Sequence, residues 1–339
     1  MIKYDEAFIK EIRANPKDDI PRLILADYLE EAGDPHAKLI RAQVELAKLQ
    51  ASDIRRLPLE EQESDLLGRY GDTWLAPLRE MGVEGASVRC FNKGLIERVK
   101  IKPEKWLENA NEICRISPAL YQVHWFKIKD DLQSLSNADM PKQITSLDAS
   151  INGLEDFHLA EFESALWLPQ LTELNLSLNK LGDVGLQSLV TFDCPQLRKL
   201  QLRVNKITHQ GIEALANSKF LNNLTHLSLS VNEVGSNGAQ LLAQSEFVEN
   251  LQELDLASNN ISNQGTEFLA QSEGFSSLRT LSLRSNSIQE IGFRTFRKAI
   301  QANRFPAMKS VDLRGNRIDR NKANKQNELE GDLGIDWQF

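Results

Sequence analysis

Cysteine is scarce, long apolar runs are missing and basic charge is outnumbered. The 339 residues hold three cysteines, Cys90, Cys114 and Cys194. An odd number cannot all pair within one chain, and their spacing fits no metal-ligand pattern. Cys114 and Cys194 fall where buried apolar residues are expected. A reducing cytoplasm is the simplest setting for such thiols; export by a route without a signal peptide, as bacterial effectors use, is the alternative. No apolar stretch approaches the length of a membrane span. Residues 1–17 are charged throughout and lack the apolar core of a signal peptide. Forty lysines and arginines stand against 48 aspartates and glutamates, a formal charge of −8. The overall basic footprint that phosphate binding requires is therefore absent, and nucleic acid is not an expected partner.

The motifs of common chemistries are missing too. There is no phosphate-binding glycine loop, no Gly-x-Ser-x-Gly and no His-Glu-x-x-His. Gly182-Asp183-Val184-Gly185 is a turn, because it recurs in register as Gly235-Ser236-Asn237-Gly238. The five histidines are scattered; His226 falls on an outward strand position and His209 near a helix start. No nucleophile, base and orienting group can be assembled from spacing. No catalytic residue, metal or cofactor is expected.

What the chain does have is a repeat. An eleven-residue phrase, Leu-x-x-Leu-x-Leu-x-x-Asn-x-(Leu/Ile/Val), begins at Ile144, Leu171, Leu197, Leu224, Leu251, Leu278 and Met308. Its asparagines are Asn152, Asn179, Asn205, Asn232, Asn259, Asn286 and Asn316, at intervals of 27, 26, 27, 27, 27 and 30 residues. A unit of this length cannot bury its own apolar face and must stack on a neighbour, which predicts a solenoid. Within one phrase the two inner leucines lie two apart and share one side of a strand, while the residue between them faces the other way. The asparagine ends the strand. Its amide has donors and an acceptor, so it can satisfy the buried turn from within. The seven are expected to form a ladder.

The second half of each unit is expected to be helical. Gly185, Gly211, Gly238, Gly265 and Gly292 follow their asparagines by six positions, and Leu189, Leu215, Leu242, Leu269 and Phe296 follow four later. Asp183, Ser236 and Asn263 are suitable N-cap types just ahead of the glycines. The glycine serves either close packing on the adjacent unit or backbone freedom in a turn.

This frame resembles the leucine-rich repeats of the ribonuclease-inhibitor-like class over residues 144–320. The resemblance implies an α/β solenoid, a horseshoe with parallel strands on the concave side and helices on the convex side. Two degenerate units are expected before it, at 83–118 and 119–143. The first has alternation through Ile96, Arg98, Val99 and Ile101; the second has Leu120-x-x-Val123-x-Trp125. The polar stretch Arg317–Asp332 with Ile335, Trp337 and Phe339 makes 321–339 a cap or a frayed tail.

Residues 1–80 lack the period and predict a small all-α bundle. The expected helices are Asp5–Ala14, stopped by Asn15-Pro16; a second one capped by Asp19, with Leu23, Ala26, Tyr28 and Leu29 buried; Ala37–Leu49; and one near Glu60–Tyr70. The runs Ala14–Leu23, Ala26–Pro35 and Leu39–Gln43 resemble the repeat-companion domain, found at the N-terminus of repeat proteins chiefly in planctomycete bacteria. The family usually has tryptophan where this chain has Tyr28. Phe91-Asn92-Lys93-Gly94-Leu95-Ile96-Glu97 is similar to the link these proteins place before their repeats. The resemblance implies no catalytic or ligand residues. Asp27, Glu30, Glu31, Arg22 and Arg41 are expected to be a charged helix face rather than a polar site.

Binding is then expected on the exposed side of the strands. One column, between the inner leucines, is Asp148, Asn175, Gln201, Ser228, Asp255, Ser282 and Asp312. Another is Ser150, Ser177, Arg203, Ser230, Ala257, Arg284 and Arg314. The next is Ile151, Leu178, Val204, Val231, Ser258, Ser285 and Gly315. Its first four members either form an exposed apolar strip or turn inward onto the asparagine turn. With Glu173, Lys199, Arg203, His226, Asp255, Arg284, Asp312 and Arg314 around it, an exposed strip would suit a protein partner. The expected role is a non-enzymatic protein-interaction scaffold. The alternative is a regulator of an enzyme, such as a small-GTPase activator, or a secreted bacterial effector.

Overall fold

The computed structural model describes residues 6–15, 18–218, 220–319, 321 and 333–339. The Pro16 helix stop and positions 322–332 of the expected cap or tail lie outside the described residues. The chain divides into two compact units: Met1–Lys127 with Asp139–Leu147, and Ile128–Ala138 with Asp148–Phe339. The segments 1–80, 83–143, 144–320 and 321–339 follow different boundaries, because residues 83–127 share a unit with the N-terminal helices.

The first unit opens with four helices: α1 (Glu6–Ala14), α2 (Ile20–Glu31), α3 (His36–Lys48) and α4 (Arg56–Glu80). Ile9 and Ile12 of α1, Leu25, Ala26 and Leu29 of α2, and Ile40 and Val44 of α3 make one buried cluster, joined by Leu95 and Ala119 from beyond the helices. Spacings of three and four residues put each set on one helical stripe. Within α2 the buried face differs from the expected one. Leu25 is core, Leu23 only packs against the cluster, and Tyr28 is exposed. The cap differs as well. Asp18 Oδ1 accepts the Ile20 N–H at 2.9 Å, while Asp19 binds Lys93 Nζ. Helix α4 runs well past Glu60–Tyr70 at both ends.

Five strands and a helix follow: β1 (Val83–Glu84), β2 (Phe91–Asn92), β3 (Leu95–Ile96), β4 (Arg98–Ile101), α5 (Pro103–Ile116) and β5 (Gln122–Trp125). Strands β2 and β3 form a hairpin in which Asn92 faces Leu95. Its two loop residues, Lys93 and Gly94, both have positive φ, 47° and 81°, as a tight primed turn requires. A Cβ on Gly94 would stand 2.3 Å from Ile40 Cγ1 and 2.6 Å from Ile40 Cα, so only glycine fits against α3. The Gly94 N–H donates to Gln43 Oε1 at 2.6 Å. Glu97, 4% exposed, accepts from Arg22, which is fully buried, and from Asn92 Nδ2. Arg22 is thus part of the interior, not of the charged face expected for it. That face consists of Arg41 with Asp27 and Glu30. The segment resembling a link is a docked hairpin.

The second unit carries the repeat: α6 (Leu132–Ser136), α7 (Asp156–Ala160), β7 (Glu173–Asn175), α8 (Asp183–Leu189), β8 (Lys199–Gln201), α9 (His209–Ala216), β9 (His226–Ser228), α10 (Gly235–Gln244), β10 (Glu253–Asp255), α11 (Ser262–Gln271), β11 (Thr280–Ser282), α12 (Glu290–Gln301), β12 (Ser310–Asp312) and β13 (Asp336–Gln338); β6 (Ser146–Asp148), which precedes α7, has Ser146 and Leu147 in the first unit. Strands β7 to β13 pair in sequence order, all parallel and in register. This unit is an α/β solenoid. The inner leucines, such as Leu227 and Leu229, are 3% or less exposed.

At each strand end an asparagine bridges two units. Asn232 Oδ1 accepts the Ile207 N–H of the preceding unit at 3.0 Å, and its Nδ2 donates to Leu202 O and Leu229 O at 3.0 and 2.8 Å. Asn179, Asn205, Asn259, Asn286 and Asn316 repeat this pattern. Asn152 Oδ1 accepts from Ile128 N.

The helix starts form a second cross-unit ladder. Asp183, Ser236 and Asn263 do not cap their own helices. Asp183 Oδ1 accepts the N–H groups of Thr208 and Gly211 in the next unit, at 2.8 and 2.9 Å. Ser236 Oγ donates to Ile261 O, and Asn263 Oδ1 accepts from Gln289 N. The glycines make this possible. A Cβ on Gly211 would lie 2.7 Å from Asp183 Oδ1, and one on Gly265 would lie 3.1 Å from Ser236 Cα. None of the five has positive φ, so close packing, rather than backbone freedom, explains them. At the far end β13 adds a strand beside β12, and Trp337 and Phe339 both set their rings edge-on to Phe293 at 5.3 Å. Residues 336–339 are therefore packed, not frayed.

Candidate functional site

The open side of the strands is made of the residues that alternate with the buried leucines. The residue ahead of each inner leucine stacks in register: Glu173 beside Lys199, Lys199 beside His226, His226 beside Glu253, Glu253 beside Thr280. His226 Nε2 stands 3.5 Å from Glu253 Oε1, and its Nδ1 is 2.8 Å from Thr225 Oγ1. A shallow groove of about 230 Å³ joins Lys199, His226, Glu253, Asp255 and Thr280. Lys199, His226 and Asp255 are thus brought together. Glu253 belongs with them and was missed, although its place in the repeat register is that of Glu173 and His226.

The column between the inner leucines has internal work. Asp148, Asn175, Asp255 and Asp312 each accept, through Oδ1, the N–H two residues on, at 2.9 to 3.1 Å. These side chains hold the turn that follows the strand. Asp312 also receives both Arg314 Nε and Nη2, at 2.9 and 2.7 Å. Partial burial works against its ionisation, yet the hydrogen bonds from Arg314 hold its carboxyl below the ordinary value. Arg314 is therefore partly occupied, although it is exposed like Arg203 and Arg284.

The next column decides the apolar question. Ile151 is 69% exposed, Leu178 44% and Val231 40%, and Val204 is half-buried. They do not turn inward. Each donates its N–H to the neighbouring unit: Ile151 to Ser177 O, Leu178 to Arg203 O, Val204 to Ser230 O, Val231 to Ala257 O, at 2.7 to 3.1 Å. The four therefore stand side by side at sheet spacing. Their φ angles are 59°, 57°, 55° and 57°. A left-handed backbone crowds Cβ against the following carbonyl and is most costly for β-branched residues. Later units place Ser258, Ser285 and Gly315 in the same conformation. The turn thus imposes the backbone angle everywhere, and the first four units accept large apolar side chains there.

Residues 169–190, 193–216, 220–243 and 249–270 match the family model described as Leucine Rich repeat. Among solved structures, an internalin, InlF, from Listeria monocytogenes strain 4b F2365 is similar at 21% identity with a TM-score of 0.43. The alignment covers 66% of this chain and 55% of that one, so this chain spans little more than half of the internalin's length. No curated protein matches the chain. Among the described residues, no helix is long and apolar enough to cross a membrane.

Proposed function

We propose that the repeat unit is a non-enzymatic scaffold that binds a protein through its open strand face. One observation supports this most: four adjacent apolar side chains, Ile151, Leu178, Val204 and Val231, sit unburied or half-buried in a backbone conformation that disfavours them. The core gains little from these side chains, and strain kept at a surface points to a function for the surface. Lys199, His226, Glu253 and Asp255, with Glu173 and Arg203, supply a polar border beside the strip; Arg284, Asp312 and Arg314 extend it along the later units. Leucine-rich repeats serve protein recognition generally, which agrees with this reading. The N-terminal helices we assign to the repeat-companion family, as a further docking element without chemistry of its own. Three unpaired cysteines favour the cytoplasm.

The test uses a pair of substitutions that removes the apolar surface without burdening the turn. Asparagine tolerates positive φ far better than valine or leucine. Leu178→Asn/Val204→Asn should therefore fold at least as stably as the wild type, checked by thermal melting. In quantitative affinity capture it should lose the partners that the wild type retains. An unchanged partner set with an intact fold would remove the strip from recognition.

A further inference from the structure

The first unit holds a cavity of about 420 Å³ between α3, α4, the β2–β3 hairpin and the segment after α5. Its size is that of a small-molecule site. One wall is aromatic. The His36 ring lies 3.7 Å from the Trp74 ring, centroid to centroid, and 5.8 Å from Phe91; Trp74 and Phe91 meet edge to face at 5.7 Å. Of the residues lining this cavity, His36 sets its imidazole Nδ1 beside Asp34, and Ser117 carries a buried side-chain oxygen without a hydrogen-bond partner. His36 and Ser117 are 4% and 3% exposed. The carboxylate nearest the imidazole, Asp34 Oδ1, is 3.5 Å from Nδ1 and already accepts the His36 backbone N–H at 2.8 Å. Buried polar atoms are normally paired, so the open Ser117 Oγ beside this cavity is a place for a partner from outside the chain.

The charge around the cavity narrows the class of that partner. Among the described residues lining it, Asp34 is the one carboxylate, and no lysine or arginine is present. Burial works against ionisation of Asp34, but its hydrogen bonds from His36 outweigh this and hold the carboxyl below the ordinary value. Ring faces also attract positive charge. A flat ring would stack in the aromatic wall, an N–H or ammonium would face Asp34, and a polar edge would meet Ser117 Oγ. We propose that this cavity is a binding site for a small planar aromatic amine. The proposal is independent of the strand-face scaffold, which lies in the other unit.

Tryptamine, indole and indole-3-acetate share a ring and differ in charge, so they separate stacking from charge recognition. Each is titrated into the full chain and followed by nuclear magnetic resonance and calorimetry. Tryptamine should bind at least about tenfold more tightly than indole-3-acetate, as expected where a cation meets desolvated ring faces and a carboxylate. Asp34→Asn keeps an oxygen for the His36 N–H; it should abolish that preference and leave indole unaffected. Thr73 lines the cavity from an exposed position, so Thr73→Trp should block it without disturbing the core. All three probes should then weaken in a protein with an unchanged melting curve. Equal binding of tryptamine and indole-3-acetate, binding indifferent to Thr73→Trp, or no response from any probe at millimolar concentration would each overturn the assignment.

Discussion

Arg22 and Glu97 are joined inside the first unit although 75 residues separate them in sequence. Removing one partner of a buried ion pair leaves the other charge without solvent or counterion. Arg22→Met or Glu97→Gln alone should therefore lower unfolding free energy by about 3–5 kcal/mol. The double variant should recover much of the loss, because two apolar or neutral groups carry no such charge. Urea unfolding of the three variants measures this, and equal loss in all of them would show that the pair is not an energetic unit. Buried thiols give a second expectation at this scale. Burial pushes Cys114 and Cys194 up to about 12 from an ordinary value near 9. Above about 9 the unfolded chain releases these protons while the folded chain keeps them, so stability should fall as pH rises from about 9 to about 12. Urea midpoints across that range should fall more steeply for the wild type than for Cys114→Ala/Cys194→Ala; parallel slopes would assign the loss to other groups. Arg22 was read as surface because helical patterning places charge outside by default, and no local pattern in α2 announces a carboxylate that arrives with a later hairpin.

Helices and strands show why some elements were legible and others not. The repeat fixes each strand by two leucines and an asparagine, so the extent of β7 to β12 follows the phrase. Helix α4 was expected only near Glu60–Tyr70, yet it runs from Arg56 to Glu80 with Gly68, Gly71 and Pro77 all inside it. The helix-start side chains were assigned to their own helices because spacing within one chain segment cannot reveal that stacking carries Asp183 onto Thr208 and Gly211. The same stacking makes the helix-start glycines irreplaceable. Gly265→Ala would drive a methyl to within 2.6 Å of Ile261 Cγ2 and 3.1 Å of Ser236 Cα. Overpacking of this kind should destabilise by about 1–3 kcal/mol. Gly68 is the control: it is helical, with nothing within 4 Å of an added Cβ. Gly68→Ala should stabilise by about 0.5–1 kcal/mol through helix propensity alone. Calorimetric melting of the two variants, shifting in opposite directions, would separate packing from propensity; a stabilising Gly265→Ala would refute the close-packing explanation.

At the scale of the repeat array, period alone supplied the stacking order, whereas the exposed strip needed the backbone angles before its side chains could be placed outside. A stack in which each unit touches only its neighbours also responds locally when one link is removed. Asn259 is fully buried in the middle of the array; its Oδ1 accepts from Val234 N at 3.2 Å and its Nδ2 donates to Leu229 O at 2.9 Å. Asn259→Ala leaves those groups buried and unpaired, a cost of roughly 1–3 kcal/mol. Asn316, near the end of the described repeats, is half-buried, so water can replace much of what Asn316→Ala removes. Hydrogen exchange should therefore show, for Asn259→Ala, faster exchange of amides in the units carrying β9, β10 and β11, with β7 and β8 near wild-type protection. For Asn316→Ala the change should be smaller and confined to the units of β11 and β12. Uniform loss of protection from β7 to β12 in either variant would mean that the repeats unfold as one cooperative block. In that case the asparagines would act on global stability, and the nearest-neighbour description of the array would have to be abandoned.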